Sequence, residues 1–286
     1  RRFMRWGTGS QRFSRPIRWL LALKGVDLIP VEIPGADPPV RSDRFSRGHR
    51  LHGDQPLPIN TAEAYDDTLA AAGVIVDRQQ RAALIRSQLD ASADQLNGLP
   101  DCPEFLFQEL VDLVESPRLL QGSIAERFLS LPPEVIITVM QAHQRYVPLK
   151  VPEVTPDPLQ LVATGVLQRD FLLVGNGLEA ADALITRGNE RVLAARLADA
   201  EFFLSVDRRQ PSSVRREALD RVTFAEGLGS LLDRCQRIER IARQLVDQLN
   251  LDARQGEAAI RAAHLCKHDL VSQMVGEFPE LQGLMG

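Results

Sequence analysis

The apolar positions of this chain change period several times, and each change marks an element. Residues 129–149 hold the sharpest change. Leu129-Ser130-Leu131-Pro132-Pro133-Glu134 combines a serine, two prolines and an early glutamate, which together predict a helix start. Val135, Ile136, Val139 and Met140 then recur at helical spacing, with Ala142 and His143 continuing the stripe. At Gln144-Arg145-Tyr146-Val147-Pro148 the period turns to strand. Upstream, residues 12–23 alternate before becoming wholly apolar. A turn at Lys24-Gly25-Val26-Asp27 predicts a hairpin onto a second strand at 28–33, followed by a loop at 34–39. Residues 61–72 predict a helix, 74–76 a short strand, and 78–96 a longer helix with Ala82, Ile85, Leu89, Ala93 and Leu96 on one face. A break at 97–103, an apolar and acidic stretch at 104–114 and a loop at 117–122 come next. Strands are expected at 159–167 and 171–174, ended by glycines 165, 175 and 177. That Gly-Asn-Gly lacks the glycine spacing and the Lys-Ser/Thr of a phosphate-binding loop.

From Gly188 the period is helical. Leu193, Leu197, Ala200 and Leu204 make a seam, and Arg196 is placed to pair with Asp199 on the outside. Phe224, Leu228, Leu231, Cys235, Ile238, Ala242, Leu245 and Leu249 alternate steps of four and three, which predicts one long helix, and 258–274 predicts another. A coiled coil is the rival reading, but the seam contains Ala and Cys, which favours a compact helical domain. The expected fold is therefore α+β first and all-helical last, changing between 175 and 207.

At 286 residues, 44% hydrophobic and 25% charged, the chain has the composition of a globular protein with room for two domains. It has no apolar run of about 18 residues, so no membrane span is expected. It opens Arg1-Arg2-Phe3-Met4 and reads as an excised piece. Cys102, Cys235 and Cys266 are far apart and odd in number, which predicts neither a zinc cluster nor a disulfide framework and fits a reducing cytosol.

Charge sharpens the picture. The net charge is −4, yet residues 1–50 hold ten Arg, one Lys and four acids, or +7, leaving −11 for the remainder. Phe3, Trp6, Phe13, Trp19 and Phe45 lie among those arginines, a mixture suited to RNA phosphates and splayed bases. The alternative is a sheet whose edge arginines are only solvated. In Ser46-Arg47-Gly48-His49-Arg50, glycine between cationic groups could bring backbone amides to a phosphate. Gln141, His143, Gln144 and Arg145 sit where helix hands over to strand, a common place for binding side chains, though a solvated helix end explains them equally well.

Seven motifs together carry a resemblance. They are Met4-Arg5-Trp6-Gly7, Arg12-Phe13-x-Arg15-Pro16-Ile17-Arg18-Trp19, Arg47-Gly48-His49-Arg50, Ser130-Leu131-Pro132-Pro133-Glu134-Val135, His143-Gln144-Arg145-Tyr146, Gly188-Asn189-Glu190-Arg191-Val192-Leu193 and Val275-Gly276-Glu277-Phe278-Pro279-Glu280-Leu281-Gln282-Gly283. In this order over this length the chain closely resembles the beta subunit of bacterial-type glycyl-tRNA synthetase. The resemblance implies a ligase subunit that binds tRNA while an alpha subunit attaches glycine, with ATP and Mg used through alpha and no cofactor in this stretch. It also implies an α2β2 assembly in the cytoplasm, away from membranes. A module similar to the B3/B4 part of phenylalanyl-tRNA synthetase is expected at 1–205 and a helical HD-like domain, incomplete at its C-terminus, at 206–286. Expected tRNA contacts are Arg5, Arg12, Arg15, Arg18, Arg44, Arg47, His49, Arg50, His143, Gln144 and Arg145. No catalytic residue is expected.

Two alternatives concern the helical part. Ala262-Ala263-His264-Leu265-Cys266-Lys267-His268-Asp269-Leu270 resembles the His-Asp helix of HD phosphohydrolases. Leu228-Gly229-Ser230-Leu231-Leu232-Asp233-Arg234 resembles the helix giving their first histidine, here without an imidazole. A rearranged metal site would use His264, His268, Asp269 and Asp233. No metal is the favoured expectation, with a degenerate HD scaffold ranked ahead of an active hydrolase.

Overall fold

The computed structural model describes residues 3–5, 12–33, 35, 38–152 and 166–286. Residues 159–165 of the strand expected at 159–167, and Trp6 and Gly7 of the first motif, lie outside the described residues. The chain is mixed α+β and forms two compact units: residues 1–96, 102–120 and 173–186 in one, and 97–101, 121–172 and 187–286 in the other.

In the first unit the opening residues build short strands. Met4–Arg5 pairs with Arg12–Phe13, and Leu20–Leu21 runs parallel to Val40–Asp43, which also pairs antiparallel with Glu32–Ile33. The predicted hairpin is present, with Leu23–Lys24 against Asp27–Leu28 and Gly25 at φ 56° in the turn. The single strand expected at 28–33 is broken: Pro30 offers no N–H, and Ser42 spans the gap by accepting the Val31 N–H at 2.8 Å and donating to the Ile29 carbonyl at 2.7 Å. Strand also fails between Phe13 and Leu20, where Pro16 interrupts the alternation.

Thr61 caps a 3-10 turn leading into the helix Tyr65–Ala71, which Gly73 ends at φ 78°. The short strand expected at 74–76 does not form; the Ile75 N–H bonds the Glu115 carbonyl at 2.9 Å instead. The helix Arg78–Leu96 has the predicted bounds and buries Ile85 and Leu89, against a helix Glu104–Leu113 that buries Leu106, Phe107, Leu110 and Val111.

A four-stranded sheet has the order Leu99–Pro100, Val147–Lys150, Leu167–Gly175, Arg118–Ser123. The last strand corrects the loop expected at 117–122. Gly122 reads as a breaker, but a Cβ there would meet the Phe171 ring at 2.6 Å, so the glycine makes room for an aromatic on the facing strand. The helix Pro133–Thr138 passes into a π-helical turn, Val139–Gln144, before the sheet.

The predicted seam helix is longer than expected, Asp182–Arg208, and buries Leu193, Leu197, Ala200 and Leu204. Its Arg196 pairs with Glu277 at 3.2 Å rather than with Asp199. The single helix expected at 224–249 is corrected to a hairpin, Thr223–Ala225 against Gly229–Ser230, and a helix Leu231–Gln248. Gly227 and Gly229 have φ of 75° and 80°, which an α-helix cannot accommodate. Ser230 and Asp233 then form a capping box. The helix expected at 258–274 is also divided, into Ala253–Leu265, a 3-10 turn His268–Val271 after left-handed Lys267, and Gln273–Glu277.

Candidate nucleic-acid interface

The first strand pair sets Arg5 directly across from Arg12, both exposed. Like charges facing each other across a ribbon cost stability unless an anion or solvent intervenes. Arg15 and Arg18 are also exposed, on the irregular stretch created by Pro16. Arg15 and Arg50 line a cleft of about 580 Å³ together with Tyr65, Arg81, Glu115 and Asn176. Arg81 is held by the Ile75, Val76 and Val111 carbonyls, and Asn176 accepts the Glu115 and Ser116 N–H groups through its side chain.

Three expected contact residues are engaged by groups of the protein itself. Arg44 donates to the Asn60 and Val26 carbonyls at 3.4 and 3.3 Å, tying the hairpin to the loop before the first helix. Arg47 binds the Asp54 carbonyl at 2.7 Å and the Asp54 carboxylate, and its guanidinium sits 5.5 Å from the Trp19 ring centroid. His49 is 2% exposed; its Nδ1 accepts the Leu51 N–H, and its Nε2 lies 3.9 Å from Glu115 without a hydrogen bond. Gly48 does not form the amide cradle imagined from the sequence. A Cβ at Gly48 would meet Ala72 at 2.6 Å, and the adjoining His49 N–H is spent on the Ala72 carbonyl at 2.9 Å.

The second candidate group lies at the π-turn. His143 stacks edge-on against Phe278 at 5.2 Å, and its Nε2 is 3.4 Å from the Glu280 carboxylate without a hydrogen bond. Gln144 and Arg145 are half-buried, and Arg145, at φ 58°, folds its guanidinium back to the Ala142 carbonyl. Gln141 donates to the Asp101 carbonyl at 2.7 Å. Tyr146 stacks on Phe171 and donates to Asn189 at 2.6 Å; burial pushes its phenol up to about 12. Glu190 accepts the Ser123 N–H at 2.8 Å. The motifs at 143–146, 188–193 and 275–283 are therefore joined to one another by packing and hydrogen bonds. Spacing alone gave no sign of that link.

The four metal candidates are separately engaged. Glu239 accepts from Arg243 at 2.7 Å and contacts His264 Nδ1 at 3.0 Å, and those hydrogen bonds hold the Glu239 carboxyl below its usual range. His268 Nδ1 bonds the Leu265 carbonyl at 2.8 Å, and Asp269 accepts the Gly283 N–H. Asp233 takes the Ser230 N–H at 2.8 Å, which holds that carboxyl low. Among the described residues, no three His, Cys, Asp or Glu side chains are grouped to hold a metal ion. No helix among them is long and apolar enough to cross a membrane.

These elements define a mixed α+β protein with an arginine- and aromatic-rich opening and a helical closing stretch. The chain belongs to the glycyl-tRNA synthetase beta subunit family, whose model matches residues 1–286. It is 43% identical over 292 residues to the glycine–tRNA ligase beta subunit of Gloeothece citriformis, covering 100% of this chain and 39% of that one. The corresponding subunit of Acaryochloris marina is 43% identical, with coverages of 100% and 39%. That of Moorella thermoacetica is also 43% identical, with coverages of 99% and 39%. The chain thus spans 39% of the length of these curated relatives.

Proposed function

We propose that residues 1–286 are the tRNA-holding part of a glycine–tRNA ligase beta subunit. They support ATP-dependent attachment of glycine to tRNA(Gly) by an alpha subunit that binds ATP and Mg, in an α2β2 assembly of the cytoplasm. What carries the proposal is the family match over residues 1–286. The +7 charge of the first fifty residues supports a polyanionic partner. In this reading residues 1–205 are a B3/B4-like tRNA-binding module and 206–286 an HD-like helical domain without catalytic metal.

Arg5, Arg12, Arg15, Arg18 and Arg50 are the exposed cations offered to phosphates. Arg44 and His49 support that surface from within, and Arg47, braced by Asp54, stands at its edge. His143, Gln144 and Arg145 form a second, smaller polar group. Residues 1–286 mixed with ATP, Mg, glycine and tRNA(Gly) should retain tRNA but yield no glycyl-tRNA, whereas the complete beta subunit with its alpha partner should yield it. Glycyl-tRNA formed by residues 1–286 above a no-protein control would contradict the division of labour.

A further inference from the structure

A cleft of about 400 Å³ opens beside the short strands at 20–21, 40–43 and 45–47. Its size lies within the range of roughly 300–1,000 Å³ usual for small-ligand sites. The strand Phe45–Arg47 alternates so that Ser46, 6% exposed, points into the protein, while Phe45 and Arg47 share the outward face. The partner strand sets Pro56 opposite Arg47. Trp19 stands immediately before the strand Leu20–Leu21 and closes another side with Arg18.

Trp19 is 43% exposed and Phe45 41%. Single exposed aromatics are ordinary, but here two line one cleft with three arginines, Arg18, Arg41 and Arg47, against one carboxylate, Asp43. Arg47 is anchored by Asp54, and its guanidinium lies 5.5 Å from the indole centroid; that of Arg18 lies 5.9 Å away. The cleft thus offers flat apolar faces, a proline wall without N–H groups, and a net excess of guanidinium groups over carboxylates, with Arg47 paired to Asp54, Arg41 to Glu32, and Arg18 facing the ring.

We infer that the Trp19–Phe45 cleft receives one unpaired nucleotide of a bound RNA, its base stacked on the aromatic faces and its phosphate held by Arg18 and Arg47. This rests on the tRNA-holding reading and deepens it. A base inside a duplex presents only its edges, whereas an unpaired base exposes the π-face that an indole can cover. Inorganic phosphate would satisfy the arginines but not the rings, and a proline-rich peptide would satisfy the rings but not the positive charge.

The test uses the complete protein and three variants, Trp19→Ala, Trp19→Phe and Phe45→Ala, each with an unchanged thermal midpoint. The probe is a single-stranded RNA hexamer carrying one 2-aminopurine, with the matching duplex, tRNA and inorganic phosphate alongside. Stacking should quench the 2-aminopurine in the wild type. Trp19→Ala should weaken hexamer binding roughly tenfold or more, Trp19→Phe should restore most of it, and neither should change the salt slope or duplex affinity. Phe45→Ala should weaken the hexamer in the same selective way. Hexamer binding unaffected by Trp19→Ala, with tRNA still bound, overturns the inference and leaves the tRNA-holding reading standing. Absence of tRNA binding by the wild type overturns both. Phosphate competing as well as RNA, or a proline-rich peptide binding through Trp19 where RNA does not, also overturns it.

Discussion

Tyr146, a residue of the His143-Gln144-Arg145-Tyr146 motif, has a structural role in the fold. Its ring stacks on Phe171 at 5.0 Å and its hydroxyl donates to Asn189, so a strand start and the long helix are fixed to each other through one side chain. Tyr146→Phe removes that bond and should cost about 1 kcal/mol in chemical denaturation. The phenol, pushed up by burial from 10.0 to about 12, adds a pH signature. Above pH 10 the unfolded chain releases this proton while the folded chain keeps it. The contribution is complete below pH 10 and fades toward pH 12 by roughly 1.4 kcal/mol per unit. A stability curve of Tyr146→Phe should lack that share of the alkaline loss. Gly122 makes a second residue-level case: Gly122→Ala would put a Cβ 2.6 Å from the Phe171 ring, and a loss of roughly 1–3 kcal/mol is expected in the same assay.

Among the elements, the periodic helices separate what a seam predicts from what it cannot. Leu197 is fully buried, so Leu197→Ala should cost about 2–5 kcal/mol. Leu249, at the end of the other predicted seam, is 64% exposed, and Leu249→Ala should change stability by less than about 0.5 kcal/mol. Equal midpoints for the two variants would contradict this difference. The helix at 78–96 was legible because its apolar spacing is dense and the break at 97–103 ends it. The helix expected at 224–249 was not, because Phe224 does pack on Leu219, Leu231 and Cys235, but from a hairpin strand. The spacing marks Leu231 and Cys235, which are buried, but also Leu228 and Leu245, which are exposed, whereas Gly227 and Gly229 fix the backbone. The strand Arg118–Ser123 was hidden for the converse reason: Gly122 serves a ring 49 residues away rather than a turn. Candidate arginines could be read from charge, but the inward commitment of Arg44 depends on the Val26 and Asn60 carbonyls. No local pattern announces those partners.

Across the whole molecule, charge is segregated: +7 in the first fifty residues and −11 in the remaining 236. Segregation of this kind steers a polyanion to one end of the chain while the acidic remainder repels it. Among the described residues, the exposed arginines of that end have none of the carbonyl contacts that hold Arg44 and Arg47, so they can be neutralised with little effect on folding. The decisive measurement is therefore the affinity for tRNA(Gly) as a function of salt, for the wild type and for the combined Arg5→Gln, Arg12→Gln, Arg15→Gln and Arg18→Gln variant. Each phosphate contact releases counterions, so losing the contacts should weaken binding and flatten the slope of log K against log salt by roughly 0.7–0.9 for each arginine that touches phosphate. Unchanged affinity and slope, with the thermal midpoint preserved, would contradict tRNA holding by this surface.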